Sequence, residues 1–162
     1  LTVEEYAAAM GSTLNAHYPP PTVIKAMYNA LENMGFAKGK VIEPSCGTGN
    51  FFGLVPENMN VQLSGVELDS ITGRIAKQLY PSADISITGF EKKQYQDNSF
   101  DVAIGNVPFG NYGVVDSRYS NHRFSIHEYF FAKSIDLVRP GGIIAFVTSK
   151  HFLDQKHAST RQ

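Results

Sequence analysis

The 162-residue sequence has one cysteine, no long apolar run and no excess of charge of one sign. A single cysteine, Cys46, cannot form an internal disulfide, which is typical of a protein from a reducing compartment. No stretch approaches the ~18 consecutive apolar residues of a membrane span, and the first ten residues lack the basic start and apolar middle of a signal peptide. We therefore expect a cytoplasmic protein with no membrane partner.

The overall charge balance gives no sign of nucleic-acid binding. Lys and Arg number 14 against 15 Asp and Glu, a net charge of −1, so the overall basic signature of a nucleic-acid-binding domain is missing. Any DNA contact must then rest on a local patch or on sequence outside this chain. The five histidines also lack the spacing and the partnering cysteine pair of a metal centre, so we predict no metal site.

What the sequence does contain is a regular alternation of short apolar runs and helical segments. This pattern predicts a Rossmann-like, doubly wound, mostly parallel α/β sheet of about five strands, with helices on both faces. Residues 1–36 are expected to form N-terminal helices, and residues 37–162 the sheet. The predicted strands cover residues 40–45, 61–69, 83–90, 100–106 and 141–149, and the predicted helices cover 3–10, 22–34, 50–55, 70–81 and 125–140.

The stretch VIEPSCGTGNFFG, residues 41–53, places two glycines between the first strand and the next element. Gly47 and Gly49 let backbone N–H groups approach a nucleotide closely. The third glycine of a dinucleotide-binding loop would stand at position 52, where the chain has Phe52, so NAD is disfavoured.

Two acidic residues complete this predicted cofactor site. Glu67 ends the next strand, where a carboxylate can accept hydrogen bonds from both ribose hydroxyls of a nucleoside. Glu43 lies at the tip of the first strand, where it would attract an ammonium or sulfonium group and repel a pyrophosphate. This favours S-adenosylmethionine over NAD. The alternative interpretation is an ordinary glycine turn followed by a solvated glutamate.

The motifs EPSCGTGNF, GVELD and GNVPF, in this order, resemble the class I S-adenosylmethionine-dependent N6-adenine DNA methyltransferases that place the cofactor motif first. HYPPPTVIKAM and HEYFFAKSIDLVRPGGIIAFVTSKHFL also resemble the methylase module of methylase and helicase fusion proteins of mobile elements. The resemblance implies a methyltransferase core with S-adenosylmethionine as cofactor and DNA as partner. It also implies that two further strands and a target-recognition domain normally follow. We therefore expect the chain by itself to bind the cofactor weakly, without sequence-specific DNA methylation.

The resemblance also assigns roles to residues. It implies that Glu43 and the backbone around Gly47 and Gly49 hold the methionyl end of the cofactor, while Glu67 holds the ribose. The chain departs from the family at Pro19, where a threonine usually contacts the methionine carboxylate, and at Gly89, where an aspartate usually accepts from the adenine. Glu91 or a backbone carbonyl is an alternative acceptor there. The predicted cofactor set also includes Pro44, Phe51, Leu68, Phe90 (packed on the adenine) and Asn106.

The stretch FDVAIGNVPFG, residues 100–110, predicts the catalytic loop. The side-chain carbonyl of Asn106 and the main-chain carbonyl of Val107 can accept both N–H groups of a planar amine, which favours a nitrogen lone pair able to attack a methyl group. Pro108 stiffens the turn, and the ring of Phe109 can stack on a flipped base. On its own, this pattern also fits an ordinary strand-to-loop turn.

Basic and aromatic residues are mixed after this loop. Arg118 and Arg123 are candidate phosphate contacts, with solvated loop residues as the alternative. Phe130 is, by resemblance, a candidate wall of the adenine pocket, although helical spacing also favours a core position. Three other functions stay open: a methyltransferase acting on RNA adenine, one acting on protein glutamine, and a degenerate module that binds cofactor or partner without catalysis.

Overall fold

The computed structural model describes residues 18–110 and 112–148, and the predicted helix over residues 3–10 lies outside them. Within the described ranges the chain forms one five-stranded sheet of order β3-β2-β1-β4-β5, and every neighbouring pair is parallel. The predicted parallel α/β sheet is therefore confirmed. The strands are β1 (Lys38–Glu43), β2 (Asn60–Glu67), β3 (Asp84–Ile87), β4 (Phe100–Asn106) and β5 (Val138–Val147).

Three helices cover the sheet, α1 (Pro21–Asn33), α2 (Ser70–Leu79) and α3 (Ile126–Leu137). Each begins at a recognisable start signal. Pro21 occupies the first turn of α1, where its fixed φ suits a helix and its missing N–H costs nothing. The Asp69 carboxylate accepts the Thr72 N–H at 2.7 Å at the start of α2. The Glu128 carboxylate accepts the Ser125 N–H at 2.8 Å at the start of α3.

Alternate residues of the central strands point to opposite faces of the sheet. Val41 of β1 packs in one hydrophobic cluster with Ile24 and Leu31 of α1. Its neighbour Ile42 belongs to a second cluster with Tyr129 of α3. The period-two alternation of a strand therefore builds one core on each face. Since α1 and α3 cover opposite faces, the sheet is doubly wound, as predicted.

Several predicted bounds differ by a few residues from the structure, and two of the differences have a clear physical cause. Residues 50–55 do not open a helix but contain a single 3-10 turn, Phe52–Leu54, because Gly53 is a poor helix former and Pro56 supplies no backbone donor to extend a helix. Strand β5 begins at Val138, three residues before the predicted start, because Val138 pairs with Phe100 across a bulge. The pairing ends α3 earlier than its apolar pattern suggests.

The glycine turn after β1 depends on a left-handed backbone. Gly49 has φ +86°, and a Cβ added there would lie 2.7 Å from Cδ2 of Tyr80. Gly35, after α1, has an equivalent φ of +87° but nothing within 4 Å of the same position. The two glycines therefore share the backbone requirement, and only Gly49 adds a steric one.

We expect Gly49→Ala to destabilise the fold more than Gly35→Ala. A left-handed alanine costs about 1–2 kcal/mol, and overpacking against Tyr80 adds about 1–3 kcal/mol. The measurement is the free energy of unfolding in urea for both variants. Equal losses would show that the Tyr80 ring moves aside freely.

Candidate active site at the carboxyl edge of the sheet

Three polar side chains end three neighbouring parallel strands. Glu43 ends β1, Glu67 ends β2 and Asn106 ends β4. Since parallel strands in near register finish at the same edge, the fold brings these side chains to one side of the sheet. A pocket of about 520 Å³ opens at this edge, within the 300–1,000 Å³ range of small-molecule sites.

The pocket gathers most of the predicted cofactor and catalytic residues. They come from the glycine turn, the ends of the strands and the loop after β4. Those that line it are Glu43, Gly47, Phe51, Glu67, Leu68, Asn106, Val107, Pro108 and Phe109.

Glu67 ties the glycine turn to the end of β2. Its Oε2 accepts the Gly47 N–H at 2.7 Å, and its Oε1 accepts the Asp69 N–H at 2.8 Å. Burial raises the pKa of Glu67, and these backbone donors oppose that rise. Because each carboxylate oxygen has two lone pairs, Glu67 can still accept from two hydroxyl groups in the pocket.

Glu43 is the least satisfied charged group of the site. Its side chain is only 2% exposed, and among the described residues its Oε2 has no hydrogen-bond partner. Burial raises its pKa well above the usual range, and the nearby Glu67 raises it further. A buried acceptor that lines a pocket without a donor suits a cationic ligand, so this position fits the ammonium or sulfonium of S-adenosylmethionine.

The loop after β4 is anchored by its first residue, Val107. The Val107 side chain is buried in the cluster beneath α3, and the Val107 N–H donates to the Val147 carbonyl at 3.4 Å. Asn106 before it is half-buried, and Phe109 after it is 37% exposed at the pocket. Anchored Val107 therefore holds the Asn106 carboxamide on one side of it and the Phe109 ring on the other.

Several predicted residues do not line the pocket. Phe90 is buried in the core, where its ring centroid lies 5.0 Å from that of Phe130. The packing of these two rings with Tyr129 of α3 holds both away from the pocket surface. The pocket lining also excludes Pro44, Gly49 and Gly89.

The two predicted phosphate contacts lie elsewhere as well. Arg118 forms a two-pronged ion pair with Asp97, at 2.6 and 2.8 Å, and a third contact with Asp136 at 2.9 Å. These carboxylates hold the guanidinium beside the end of α3, away from the pocket. Arg123 is exposed and is not part of the pocket lining.

The structure adds aromatic pocket residues that the sequence reasoning missed. Tyr18 covers the glycine turn, with a ring carbon 3.0 Å from where a Cβ of Gly47 would lie. Tyr112 lines the mouth of the pocket. The available signals were positional, since Tyr18 precedes the singled-out Pro19 and Tyr112 follows the catalytic motif in the same loop.

Two further depressions of the described surface contain no predicted site residue. An open depression of about 820 Å³ lies at the opposite edge of the sheet, where Lys40, Asp101 and Arg139 line it, and it contains no predicted site residue. Within residues 18–110 and 112–148, no group of histidine, cysteine or acidic residues could hold a metal ion. No helix in those ranges has the length and apolar character needed to cross a membrane.

Comparison with known proteins identifies the family and the fold. Residues 54–162 match the family model of the Eco57I restriction-modification methylase. The matched region contains the Asn-Val-Pro-Phe loop and begins after the glycine turn. A protein of Listeria monocytogenes assigned to the class I S-adenosylmethionine-dependent methyltransferases shares the fold, with a TM-score of 0.67 and 18% identity, over 84% of this chain and 46% of that one.

Two curated relatives are similar in sequence. The defense against restriction protein B of Escherichia phage P1 is 29% identical over 143 residues, which are 85% of this chain and 6% of that protein. The type II methyltransferase M.TthHB8I of Thermus thermophilus is 27% identical over 165 residues, covering 90% of this chain and 37% of that protein. The chain thus spans well under half the length of either relative. The resemblance stated from the motifs is confirmed.

The buried carboxyl of Glu43 yields a prediction for stability. Burial raises the pKa of Glu43 in the folded state. The carboxyl therefore does not destabilise the fold below the ordinary glutamate pKa of about 4.3, and the destabilisation grows as the pH rises from there toward the folded-state pKa. We expect Glu43→Gln to raise the midpoint of thermal unfolding at pH 7. For a chain of this size, each gain of about 1 kcal/mol in the free energy of unfolding raises that midpoint by ~2–4 °C. Near pH 4 the two proteins should unfold together. A variant that melts below the wild type at pH 7 would contradict this.

Proposed function

The chain belongs to the Eco57I restriction-modification methylase family, and from this premise we propose that it transfers a methyl group from S-adenosylmethionine to the N6 amino group of adenine in DNA. The family and the fold imply S-adenosylmethionine as the cofactor. The proposal rests on one observation, that Glu43, Glu67 and the loop from Asn106 to Phe109 line the same pocket. On this proposal, residues 1–162 are the catalytic core of a modification enzyme.

The acidic residues would divide the cofactor between them. Glu43, whose buried Oε2 has no donor among the described residues, would accept from the ammonium of the methionyl end. Glu67, held by the Gly47 and Asp69 N–H groups, would accept from the ribose hydroxyls. Leu68 and Phe51 supply apolar contact nearby. When bound, the cofactor supplies an electrophilic methyl group on a sulfonium.

The loop after β4 would prepare the nucleophile. An exocyclic amino nitrogen is a weak nucleophile because its lone pair is delocalised into the ring. The Asn106 carboxamide oxygen and the Val107 carbonyl oxygen are acceptors that carry no proton to lose. Aimed at both N–H bonds, they favour a pyramidal nitrogen whose lone pair is free to attack. Deprotonation before attack is then unnecessary, and the proton leaves afterwards.

Phe109 would offset part of the free energy needed to flip the target adenine out of the DNA duplex. Flipping a base out of a duplex costs a few kcal/mol, and stacking on one aromatic ring contributes about 1–3 kcal/mol. Phe109, partly exposed at the pocket, can provide that stacking, while the polar acceptors orient the amino group. Exposed Arg123 remains a proposed phosphate contact.

The names of the family and of the Thermus relative favour DNA over RNA and protein as the target. The same acceptor pair would serve an RNA adenine or a glutamine amide, so the target needs a direct test. The departures at Pro19 and Gly89 favour the further alternative of a module that only binds cofactor.

The test is transfer of a labelled methyl group from S-adenosylmethionine to duplex DNA, to RNA and to a glutamine-containing peptide. We expect label in DNA at many sequence contexts rather than at one specific site, recovered as N6-methyladenine after digestion to nucleosides. Label only in RNA or peptide would move the proposal to that target. Cofactor binding without transfer to any of the three would establish the degenerate module.

Asn106 should matter for transfer far more than for folding. We expect Asn106→Ala to lower the transfer rate on the order of 100-fold or more, because one preorganised acceptor is lost. Cofactor affinity by calorimetry should change by much less. Asn58→Ala is the matched control, since Asn58 is an exposed asparagine whose amide bonds Glu32 outside the pocket. Unchanged transfer in Asn106→Ala would refute the mechanism.

The two glutamates should be separable by the ligand used. We expect Glu43→Gln to weaken S-adenosylmethionine and S-adenosylhomocysteine alike, by about 10-fold or more, because a charge-assisted hydrogen bond contributes about 1.5–3 kcal/mol. Methylthioadenosine, which lacks the amino-acid end, should bind this variant normally. Glu67→Gln should weaken all three ligands. Loss of S-adenosylmethionine alone in Glu43→Gln would place the sulfonium, rather than the ammonium, at Glu43.

A further inference from the structure

A strap of residues 112–119 follows the catalytic loop and lies along helix α3. At its start, the Tyr112 carbonyl accepts the Ile126 N–H, at 2.8 Å, from the first residue of α3. At its end, the Tyr119 hydroxyl donates to the Asp136 carboxylate at 2.6 Å, near the last residue of α3. The strap is therefore fixed to both ends of one helix.

The middle of the strap is fixed by a buried ion pair. Asp116 is 6% exposed and Lys133 of α3 is 7% exposed, with 3.2 Å between Oδ2 and Nζ. Tyr129 donates to the same oxygen at 2.7 Å, and the Arg118 N–H donates to the other at 3.0 Å. Lys133 also donates to the Phe90 carbonyl at 2.7 Å. Such a pair is tolerated in a core only when its hydrogen bonds are satisfied, and removing one partner is costly.

Phe90, to which Lys133 also bonds, follows β3 in the segment predicted to contact the cofactor adenine. Lys133 therefore connects three parts of the chain: helix α3, the strap, and the loop after β3. Its Nζ also lies 4.9 Å from the centre of the Phe90 ring, within cation–π range. The strap thus cannot shift without disturbing a contact in the core.

The first residue of the strap is the one that faces the pocket. Tyr112 lines the same pocket as Phe109 and is 55% exposed, so it lies at the pocket mouth. Its ring packs over Gly110, where an added Cβ would collide with it. Val115, further along the strap, is 94% exposed and is not part of the pocket lining. A large aromatic side chain held half-exposed at a pocket mouth is a typical platform for a planar ring.

We propose that Tyr112 is a second aromatic contact for the planar, amino-bearing target, beside Phe109, and that the Asp116–Lys133 pair is the positioning device that holds it there. This inference rests on the proposed function, since it assigns a residue to the target side of the same pocket. Tyr112 is the contact residue, and Lys133 acts only through the strap.

The first experiment separates contact from folding. We expect Tyr112→Ala to raise KM for the DNA target about 10-fold, within the range of lost base stacking, with cofactor affinity within twofold of the wild type. Tyr112→Phe should retain KM, because the ring remains. Val115→Ala, on the same strap but outside the pocket, should behave as the wild type. Equal KM values for Tyr112→Ala and the wild type would overturn the contact role.

The second experiment is a double-mutant cycle between Tyr112→Ala and Lys133→Met, which removes the charge while keeping most of the side-chain volume. We expect Lys133→Met to raise KM for the target about 10-fold in the wild-type background and less than twofold in the Tyr112→Ala background. Additive effects would show that Lys133 acts on the fold in general and would overturn the positioning role. If Lys133→Met does not fold, Asp116→Asn removes the charge from the other side of the same pair.

The results of these experiments distinguish failure of the Tyr112 proposal from failure of the proposed methyltransferase function. A wild-type protein that binds the cofactor but methylates no DNA, RNA or peptide would refute the proposed function and, with it, any target role of Tyr112. An active wild type with an unaffected Tyr112→Ala variant would refute only the present inference.

Discussion

The parallel pairing of β1 between β2 and β4 is the constraint on which the site depends. Glu43 and Asn106 are far apart in the chain, yet the pairing of Ile42 with Ala103 places both at one edge of the sheet. The pairing of Glu43 with Gly65 brings the end of β2, and thus Glu67, to the same edge. A slip of one residue in either pairing would exchange the strand's side chains between the two cores, so the packing that specifies the fold also specifies the site.

The protein contains two kinds of buried charge with opposite consequences. The Asp116–Lys133 pair is satisfied by Tyr129, a strap N–H and the Phe90 carbonyl, so it fixes one arrangement of strap and helix. Glu43 has an oxygen with no donor among the described residues, and burial raises its pKa. The first charge specifies structure. The second weakens the unliganded fold, and a cationic ligand would supply what it lacks.

Local rules predicted the strands best where one physical signal dominated. The apolar run ending at Asn106 gave the bounds of β4 without error, because the strand is buried on both faces and a proline follows. The local rules failed where tertiary contacts compete with the local preference of the chain. Pairing with Phe100 draws Val138 into β5 although the residues before it are helical.

By itself the sequence determined the parallel α/β architecture, the class of cofactor and the order of the two motifs, because periodicity, glycine spacing and strand-end residues are local chemistry. Only the tertiary structure decided which aromatic rings face the pocket. Phe90 and Phe130 pack on each other in the core, whereas Tyr18 and Tyr112 reach the pocket. Such choices depend on packing between distant segments, and an aromatic residue has the same local signature in a core as on a binding surface.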